Sequence, residues 1–390
     1  MEWTIHDVRA AHLAFLAGAV LVLPAGAWLA RRLPRPWKIA AWAATLFLAV
    51  RLVALDNPWA WQAYVDRLRG GSVGWRHMDV IRQKMRSYLK EKPVRYLAVG
   101  TSQTGMVYNG LAAERADVGV VSLAGMYPLD LALYRDRIAA YRPRCILLYV
   151  GEWDLAQRPE PEHLPLAPPQ RLRLFGIARR VLALPGGRAY RRAFVEAAVG
   201  EVFPEFKYGF VFRTLLNETI RGTAGVNAPR KRLPALSERD EAWFARDVQA
   251  MGKRLSADAL PFHEFFLRAF LDEARERGIR VVLVEGQLMP RIVRGKVAAL
   301  AAETSRVLRR IAADHPEVIF LPVESQPPLV DGDFLDLTHV RAEVGLRFSR
   351  AIVDHLDALG VADGRMVRRE PRTRPDDLVD DFQEPGSSSP

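Results

Sequence analysis

Short apolar runs alternate with longer helical stretches after residue 93, and this alternation restricts the chain to few folds. Five runs have the length and composition of buried strands: 94–99, 118–123, 145–150, 279–284 and 318–321. Helical patterns lie at 129–141, 262–277, 297–313 and 341–359. Strands that alternate with helices form parallel β-α-β units. The sequence therefore predicts an α/β fold with a doubly wound parallel sheet, where ligands bind beyond the carboxyl ends of the strands.

The alternation is interrupted by residues 155–260, which begin with a proline-rich loop and continue with helical patterns. We expect them to form a helical insertion in a domain that spans residues 94–365. The insertion is rich in Lys and Arg, which favours either a cationic surface for acidic polymers or lipids, or a solvated face without a binding role. Residues 62–93 have the pattern of an amphipathic helical connector. Residues 366–390 have the composition of a disordered tail.

Residues 1–61 are much more apolar than the rest and contain two segments that suit a membrane anchor. Segments 13–30 and 39–55 each have about the length that crosses ~30 Å of hydrocarbon, and the second carries only Arg51, near its end. Trp59 and Trp61 follow where an interfacial aromatic belt is expected. We predict a transmembrane hairpin; the alternative is a buried helical hairpin in a soluble protein.

The loop between the two segments sets the predicted orientation. Its four basic residues are Arg31, Arg32, Arg35 and Lys38. The positive-inside rule places such a loop in the cytoplasm. Both ends of the hairpin then face outward, and the large domain lies on the outer side of the bacterial cytoplasmic membrane. If only the first segment spans, the same rule places the domain inside.

Charge and cysteine usage narrow the choice of partners and cofactors. The net charge of +11 comes from basic residues scattered over the chain. No zinc-finger spacing, aromatic RNA-binding pattern or recognition helix accompanies them, so we expect no nucleic-acid partner. Cys145 is the only cysteine, which excludes an internal disulfide and multi-cysteine zinc sites. We predict no metal and no organic cofactor.

Candidate catalytic residues follow the predicted strands. Ser102 comes after the first strand in Gly100-Thr101-Ser102, where a tight turn can expose its hydroxyl, although this tripeptide also occurs in ordinary strand–helix turns. Gly125 follows the second strand and can offer a backbone N–H to an oxyanion, or can simply form a turn.

The strongest motif is Asp336-Leu337-Thr338-His339, between the last strand and the last helix. An Asp and a His three residues apart on a turn can direct an imidazole towards a serine while the carboxylate orients it. A lone motif of this kind is more often a helix cap with an incidental histidine. Its position in the predicted sheet favours the catalytic interpretation.

These motifs resemble, in order and in sheet position, the four blocks of the SGNH (GDSL-like) hydrolase superfamily, over residues 94–358 apart from the insertion. The resemblance implies a three-layer, flavodoxin-like sheet with Ser102 as nucleophile, His339 as general base and Asp336 as its orienter. It also implies an oxyanion hole made by the N–H groups of Ser102 and Gly125.

The third block departs from the family pattern. It reads Gly151-Glu152-Trp153-Asp154, whereas the family usually has Gly-x-Asn-Asp, with the Asn completing the oxyanion hole. Trp153 stands in the place of that Asn. We retain all four residues as candidate substrate-binding positions and assign none of them a catalytic role.

The chain is more similar to divergent membrane-anchored relatives, such as the proteins of teichoic-acid D-alanylation and alginate O-acetylation. This resemblance implies a serine O-acyl esterase or acyltransferase that acts on a cell-envelope polysaccharide through an acyl-serine. Its partners would be a cell-surface glycan, the lipid bilayer and, for transfer, a multi-span membrane acyltransferase. The alternative, favoured by Trp153, is a non-catalytic glycan-binding or scaffolding protein with the same fold.

Overall fold

The computed structural model describes residues 5–67, 75–86, 91–167, 173–220 and 241–363. The predicted tail, 366–390, lies outside the described residues. Five strands are described: β1 Tyr96–Gly100, β2 Val118–Ser122, β3 Cys145–Val150, β4 Arg280–Glu285 and β5 Ile319–Leu321. The described α-helices are α1 Ile5–Arg32, α2 Arg35–Ala54, α3 Pro58–Arg67, α4 Trp75–Arg86, α5 Ser102–Glu114, α6 Pro128–Ala140, α7 Glu152–Leu155, α8 Arg173–Ala183, α9 Arg191–Val202, α10 Pro204–Lys207, α11 Gly209–Ile220, α12 Glu241–Arg254, α13 Leu260–Glu276, α14 Gly295–Asp314 and α15 Ala342–Ala358.

The chain divides into two compact units. The helical unit consists of Met1–Lys90, Pro161–Ala178 and Tyr190–Arg232. The sheet unit consists of Glu91–Glu160, Arg179–Ala189 and Leu233–Pro390.

The sheet unit contains a parallel sheet with the strand order β2-β1-β3-β4-β5. This confirms the predicted α/β class and the parallel sheet. The strand order reverses at β1, because β2 lies on one side of β1 and β3 lies on the other. Such a switch point leaves a crevice at the carboxyl ends of the strands. We expect this crevice between the segments that follow β1 and β3.

Helices cover both faces of this sheet. On one face, the Tyr96 hydroxyl donates to Asp357 of α15 at 2.7 Å, and Tyr149 packs edge-on against Phe348 of the same helix. On the other face, Ile146 of β3 and Phe270 of α13 line the same small cavity. The central strands are buried on both faces, which explains why they read as continuous apolar runs.

In the helical unit, α1 and α2 pack against each other and leave large apolar side chains exposed. α2 is long and apolar enough to cross a membrane, by length and composition. α1 runs through the first predicted segment, 13–30. Among the large apolar side chains described in this pair, those more than 60% exposed are Leu13, Val20, Leu21, Trp37, Ile39 and Leu46.

A separate hydrophobic core lies at the end of α2. Leu55, Ile81, Tyr208 and Val211 are buried there around Trp61. The Trp61 side chain is 0% exposed, and its indole N–H donates to the Leu55 carbonyl at 2.6 Å. The expectation that Trp61 belongs to an interfacial belt is therefore wrong, because the ring fills the core. Trp59 is half exposed.

The predicted domain boundaries differ from the compact units. The predicted connector, 62–93, contains the end of α3 and all of α4, and belongs to the helical unit up to Lys90. Where the structure describes it, the predicted insertion, 155–260, contains helices as expected, but its segments are shared between the two units. The sequence pattern identified the helices without identifying what they pack against.

Candidate active site

Ser102 lies at the start of α5, directly after β1. Thr101 caps this helix, since its hydroxyl oxygen accepts the Gln103 N–H at 3.3 Å. The first N–H groups of a helix have no acceptor within the helix, which is compatible with the oxyanion role predicted for the Ser102 N–H. Gly100 permits the tight connection, because a Cβ there would come within 2.2 Å of the Thr104 hydroxyl.

Ser102, His339 and Asp336 form one hydrogen-bonded series. The Ser102 Oγ lies 2.8 Å from the His339 Nε2. The His339 Nδ1 lies 2.9 Å from one Asp336 carboxylate oxygen and 3.0 Å from the other. The fold thus brings together a serine and a histidine 237 residues apart, with the contacts predicted from the sequence.

A closed loop between β5 and α15 holds the Asp–His pair. Phe334 and Val340 form an antiparallel bridge, and the Leu335 N–H donates to the His339 carbonyl at 2.7 Å. The Thr338 and His339 N–H groups both donate to Asp336 at 2.9 Å. Backbone donors therefore fix the position of the Asp336 carboxylate independently of its contact with the imidazole.

The electrostatics of Asp336 determine the tautomer of His339. Partial burial acts to raise the pKa of the Asp336 carboxyl, but the hydrogen bond and charge of His339 and the two backbone N–H groups outweigh it, so the pKa lies below its usual value. An ionised carboxylate can only accept hydrogen bonds. The neutral His339 ring consequently carries its proton on Nδ1 and accepts the Ser102 hydroxyl proton at Nε2. This is the arrangement that a general base requires.

Gly125 lies in a turn after β2, the neighbour of β1 in the sheet. The Met126 N–H donates to the Leu123 carbonyl at 3.2 Å, and Gly125 has a φ of +62°. A side chain strains the backbone in this left-handed region. The structure thus places Gly125 on a sharp turn at the same edge of the sheet as Ser102, and its oxyanion role remains a prediction.

The third block is mostly buried. Asp154 accepts the Gly151 N–H at 2.7 Å and a hydrogen bond from the Thr101 hydroxyl. Because Asp154 is 4% exposed and engaged by both groups, it joins the β3 loop to the cap of α5. This favours a positioning role over the substrate contact expected from the sequence. Trp153 is half-buried.

Glu152 is a second buried carboxyl beside Asp154. Burial, opposed by a backbone hydrogen bond and assisted by the charges of Glu285 and Asp154, raises the pKa of Glu152 to about 7. Burial likewise raises the pKa of Asp154 to about 7, against the hydrogen bonds from Gly151 and Thr101. One Glu152 carboxylate oxygen has no hydrogen-bond partner among the described residues.

Sequence reasoning missed Thr101 as a functional position. Its hydroxyl both caps α5 and contacts Asp154. A threonine directly before a predicted helix is a typical N-cap, so a signal was present. The partnership with Asp154 had none, because the two residues are far apart in the sequence.

The arrangement supplies a serine, a general base and an orienting carboxylate, with His339 27% and Asp336 34% exposed at the side chain. The His–Asp pair is thus partly exposed to solvent, and Ser102 is half-buried. Among the described residues, no group of three or more His, Cys, Asp or Glu side chains could hold a metal ion. No protein-family model matches this sequence, and none of the curated proteins matches it.

Proposed function

We propose that the chain is a membrane-anchored serine O-acyl esterase or acyltransferase of the SGNH type. Ser102 attacks the carbonyl carbon of an acyl ester while His339 takes its proton. The leaving alcohol departs with that proton, and an acyl-serine remains. Water or a sugar hydroxyl then attacks the acyl-serine, and His339 again accepts and returns the proton.

The observation that carries this proposal is the series Ser102–His339–Asp336, with its distances of 2.8 and 2.9 Å. Two unrelated segments have to be folded correctly to make it. Asp336 has backbone donors and a lowered pKa, features that support an orienting carboxylate rather than an incidental helix cap.

A cell-envelope polysaccharide is the proposed acyl acceptor. This part rests on the resemblance to envelope acyltransferases, and the openness of the site is compatible with it, since His339 and Asp336 are both partly exposed. Acyl transfer would use a donor from a multi-span membrane acyltransferase, whereas hydrolysis would need water alone.

The anchor is proposed to be a transmembrane hairpin of α1 and α2. Small side chains lie where the two helices meet: a Cβ on Gly26 would come within 2.1 Å of the Thr45 hydroxyl, and Ala19 and Ala49 are buried. Large apolar side chains such as Leu21 and Leu46 point outward. Small residues between helices and large apolar residues outside are typical of helix packing in lipid.

Labelling of the full chain with a fluorophosphonate serine probe tests the proposed function. We expect labelling that is lost in Ser102→Ala and His339→Ala. Ser305→Ala is the matched control, since Ser305 lies on α14 and accepts from Arg309 at 3.3 Å; it should label like the wild type. A folded chain that never labels would favour the non-catalytic alternative, for which Trp153 in the third block is the supporting feature.

A further inference from the structure

The corner between α9 and α10 carries an exposed apolar surface, which we call the α9–α10 patch. Its members are Val195, Val199, Val202, Phe203 and Phe206. Val195, Val202, Phe203 and Phe206 are 62%, 64%, 54% and 61% exposed. Residues spaced by four and three positions share one face of a helix, so the three valines of α9 form a continuous stripe. The two phenylalanines extend it around the corner.

The corner is a fixed structure. A Cβ on Gly200 would come within 3.0 Å of the Lys207 side chain, so α10 folds closely back onto α9. Lys207 is 7% exposed and donates to the Ala167 carbonyl. The lysine thus points inward while its neighbour Phe206 points outward, which reverses the usual distribution of charged and aromatic side chains at a water-exposed surface.

The patch is attached directly to the end of α2. Glu205, between the two phenylalanines, lies 3.8 Å from Arg51 of α2. Tyr208 follows α10 and packs against Trp61 at 4.8 Å between ring centroids. The surface therefore lies at the level in the helical unit where the second proposed membrane span ends.

Polar groups at this end of α2 match the headgroup region of a bilayer. Arg51 lies 3.5 Å from Asp56, and Lys84 lies 3.9 Å from the same carboxylate. The Trp59 side chain, half exposed just after α2, has the position of an interfacial aromatic. Charged pairs beside exposed aromatic and aliphatic side chains are typical of the membrane–water interface.

We propose that the α9–α10 patch inserts into the boundary between headgroups and acyl chains of the bilayer, beside the end of α2. This inference rests on the proposed membrane anchorage. The patch adds a second, non-spanning contact with lipid.

Depth-dependent quenching in lipid nanodiscs tests the proposal on the full chain. Cys145 is buried, so a single introduced cysteine is the accessible one, and the unchanged chain gives the background. Phe206→Cys and Val199→Cys each carry an environment-sensitive fluorophore. Leu46→Cys, exposed on α2, reports the span. Arg306→Cys, on a side chain 70% exposed, is the water-exposed control.

Nitroxide lipids labelled near the headgroup should remove most of the fluorescence at positions 206 and 199. Nitroxides near the chain ends should quench position 46 more strongly, and position 306 should respond only to iodide in water. If position 46 is quenched but position 206 stays in water, the inference is wrong and the anchor stands. An unquenched position 46 contradicts the anchor itself. If position 206 is shielded from iodide only when a multi-span protein is added, the patch binds a protein and not lipid, and the inference is wrong.

Discussion

His339 depends on Asp336 for both its tautomer and its direction, since the carboxylate contacts Nδ1 at 2.9 Å while Nε2 faces Ser102. Asp336→Asn keeps the size of the side chain but can present an N–H to Nδ1, which favours the wrong tautomer. We expect the hydrolysis of p-nitrophenyl acetate by the full chain to fall about 10²–10⁴-fold in kcat.

The exposed carboxylate of Asp354 on α15 offers a control. Its side chain is 62% exposed, and Asp354→Asn should retain the wild-type kcat. Equal activity of Asp336→Asn and wild type would show that the Asp–His contact does not orient the base.

Glu152 supplies a pH-dependent prediction. Its pKa in the folded chain is about 7, against a usual 4.5. The folded state therefore holds the proton more tightly than the unfolded state. The contribution of Glu152 to the free energy of unfolding falls as the pH rises from about 4.5 to about 7, and then levels off. Glu152→Gln removes this titration, and the stability lost across that range should decrease by on the order of 2–3 kcal/mol.

Thermal unfolding in detergent, at about pH 5 and about pH 8, measures this difference. The melting temperature of Glu152→Gln should fall less between the two pH values than that of the wild type. Asp154 titrates in the same direction and remains in both proteins. Glu324→Gln, at a side chain 63% exposed, should behave as the wild type. A variant with an unchanged pH dependence would show that Glu152 is ionised in the folded state.

At the scale of elements, the sequence predicted the sheet well because its strands are buried on both faces. The run 145–150 matches β3 at both ends, and the other strands differ by one or two residues. The site was predictable for the same reason, since a parallel sheet brings the segments after its strands to one edge. The sheet edge indicated where to look for the site, and the resemblance to the SGNH hydrolases paired Ser102 with His339.

The predictions that were wrong or incomplete concern residues and helices whose surroundings depend on tertiary packing. Trp61 is an amphipathic residue that suits either an interfacial belt or a core, and only the surrounding Leu55, Tyr208 and Val211 decide for the core. The segments of the insertion have helical periodicity, but this pattern does not indicate which unit each helix packs against. The burial of Glu152 and Asp154 was likewise invisible, because both follow a strand at a place where exposed ligand-binding groups are common.

The crossing of α5 and α15 gives a prediction about the elements that carry the site. Gly345 of α15 lies against α5, where a Cβ would come within 2.3 Å of the Met106 carbonyl oxygen. Gly345→Ala therefore forces the helices apart, and we expect a loss of about 1–3 kcal/mol in the free energy of unfolding. Activity should fall too, because α5 begins at Ser102 and α15 follows His339.

Gly252→Ala is the matched helical control. A Cβ there meets only the Lys296 side chain, at 3.8 Å, so the gain in helix propensity should leave stability unchanged or raise it by up to about 1 kcal/mol. Melting temperature and ester hydrolysis measured on both variants separate the two effects. A Gly345→Ala chain as stable and active as the wild type would show that the crossing adjusts without cost.

For the whole molecule, the two compact units have contrasting surfaces and chemistry. The sheet unit contains the Ser102–His339–Asp336 series within its own residues. The helical unit contains the apolar hairpin, the Trp61 core and the α9–α10 patch. Residues of the insertion thus belong to the helical unit, with its proposed anchor, as well as to the sheet unit, and the two units are not divided at one point in the sequence.

For the proposed membrane anchor, the basic loop between α1 and α2 predicts the orientation. Arg31, Arg32, Arg35 and Lys38 should hold this loop in the cytoplasm, so alkaline phosphatase fused to the carboxyl end of the full chain should be active outside. A fusion ending after Lys38 should be inactive. Replacing the four residues by Gln removes the charge bias, and the activity of the full-length fusion should fall as part of the population inverts. An inactive full-length fusion with the basic loop intact would place the sheet unit in the cytoplasm, away from any envelope polysaccharide.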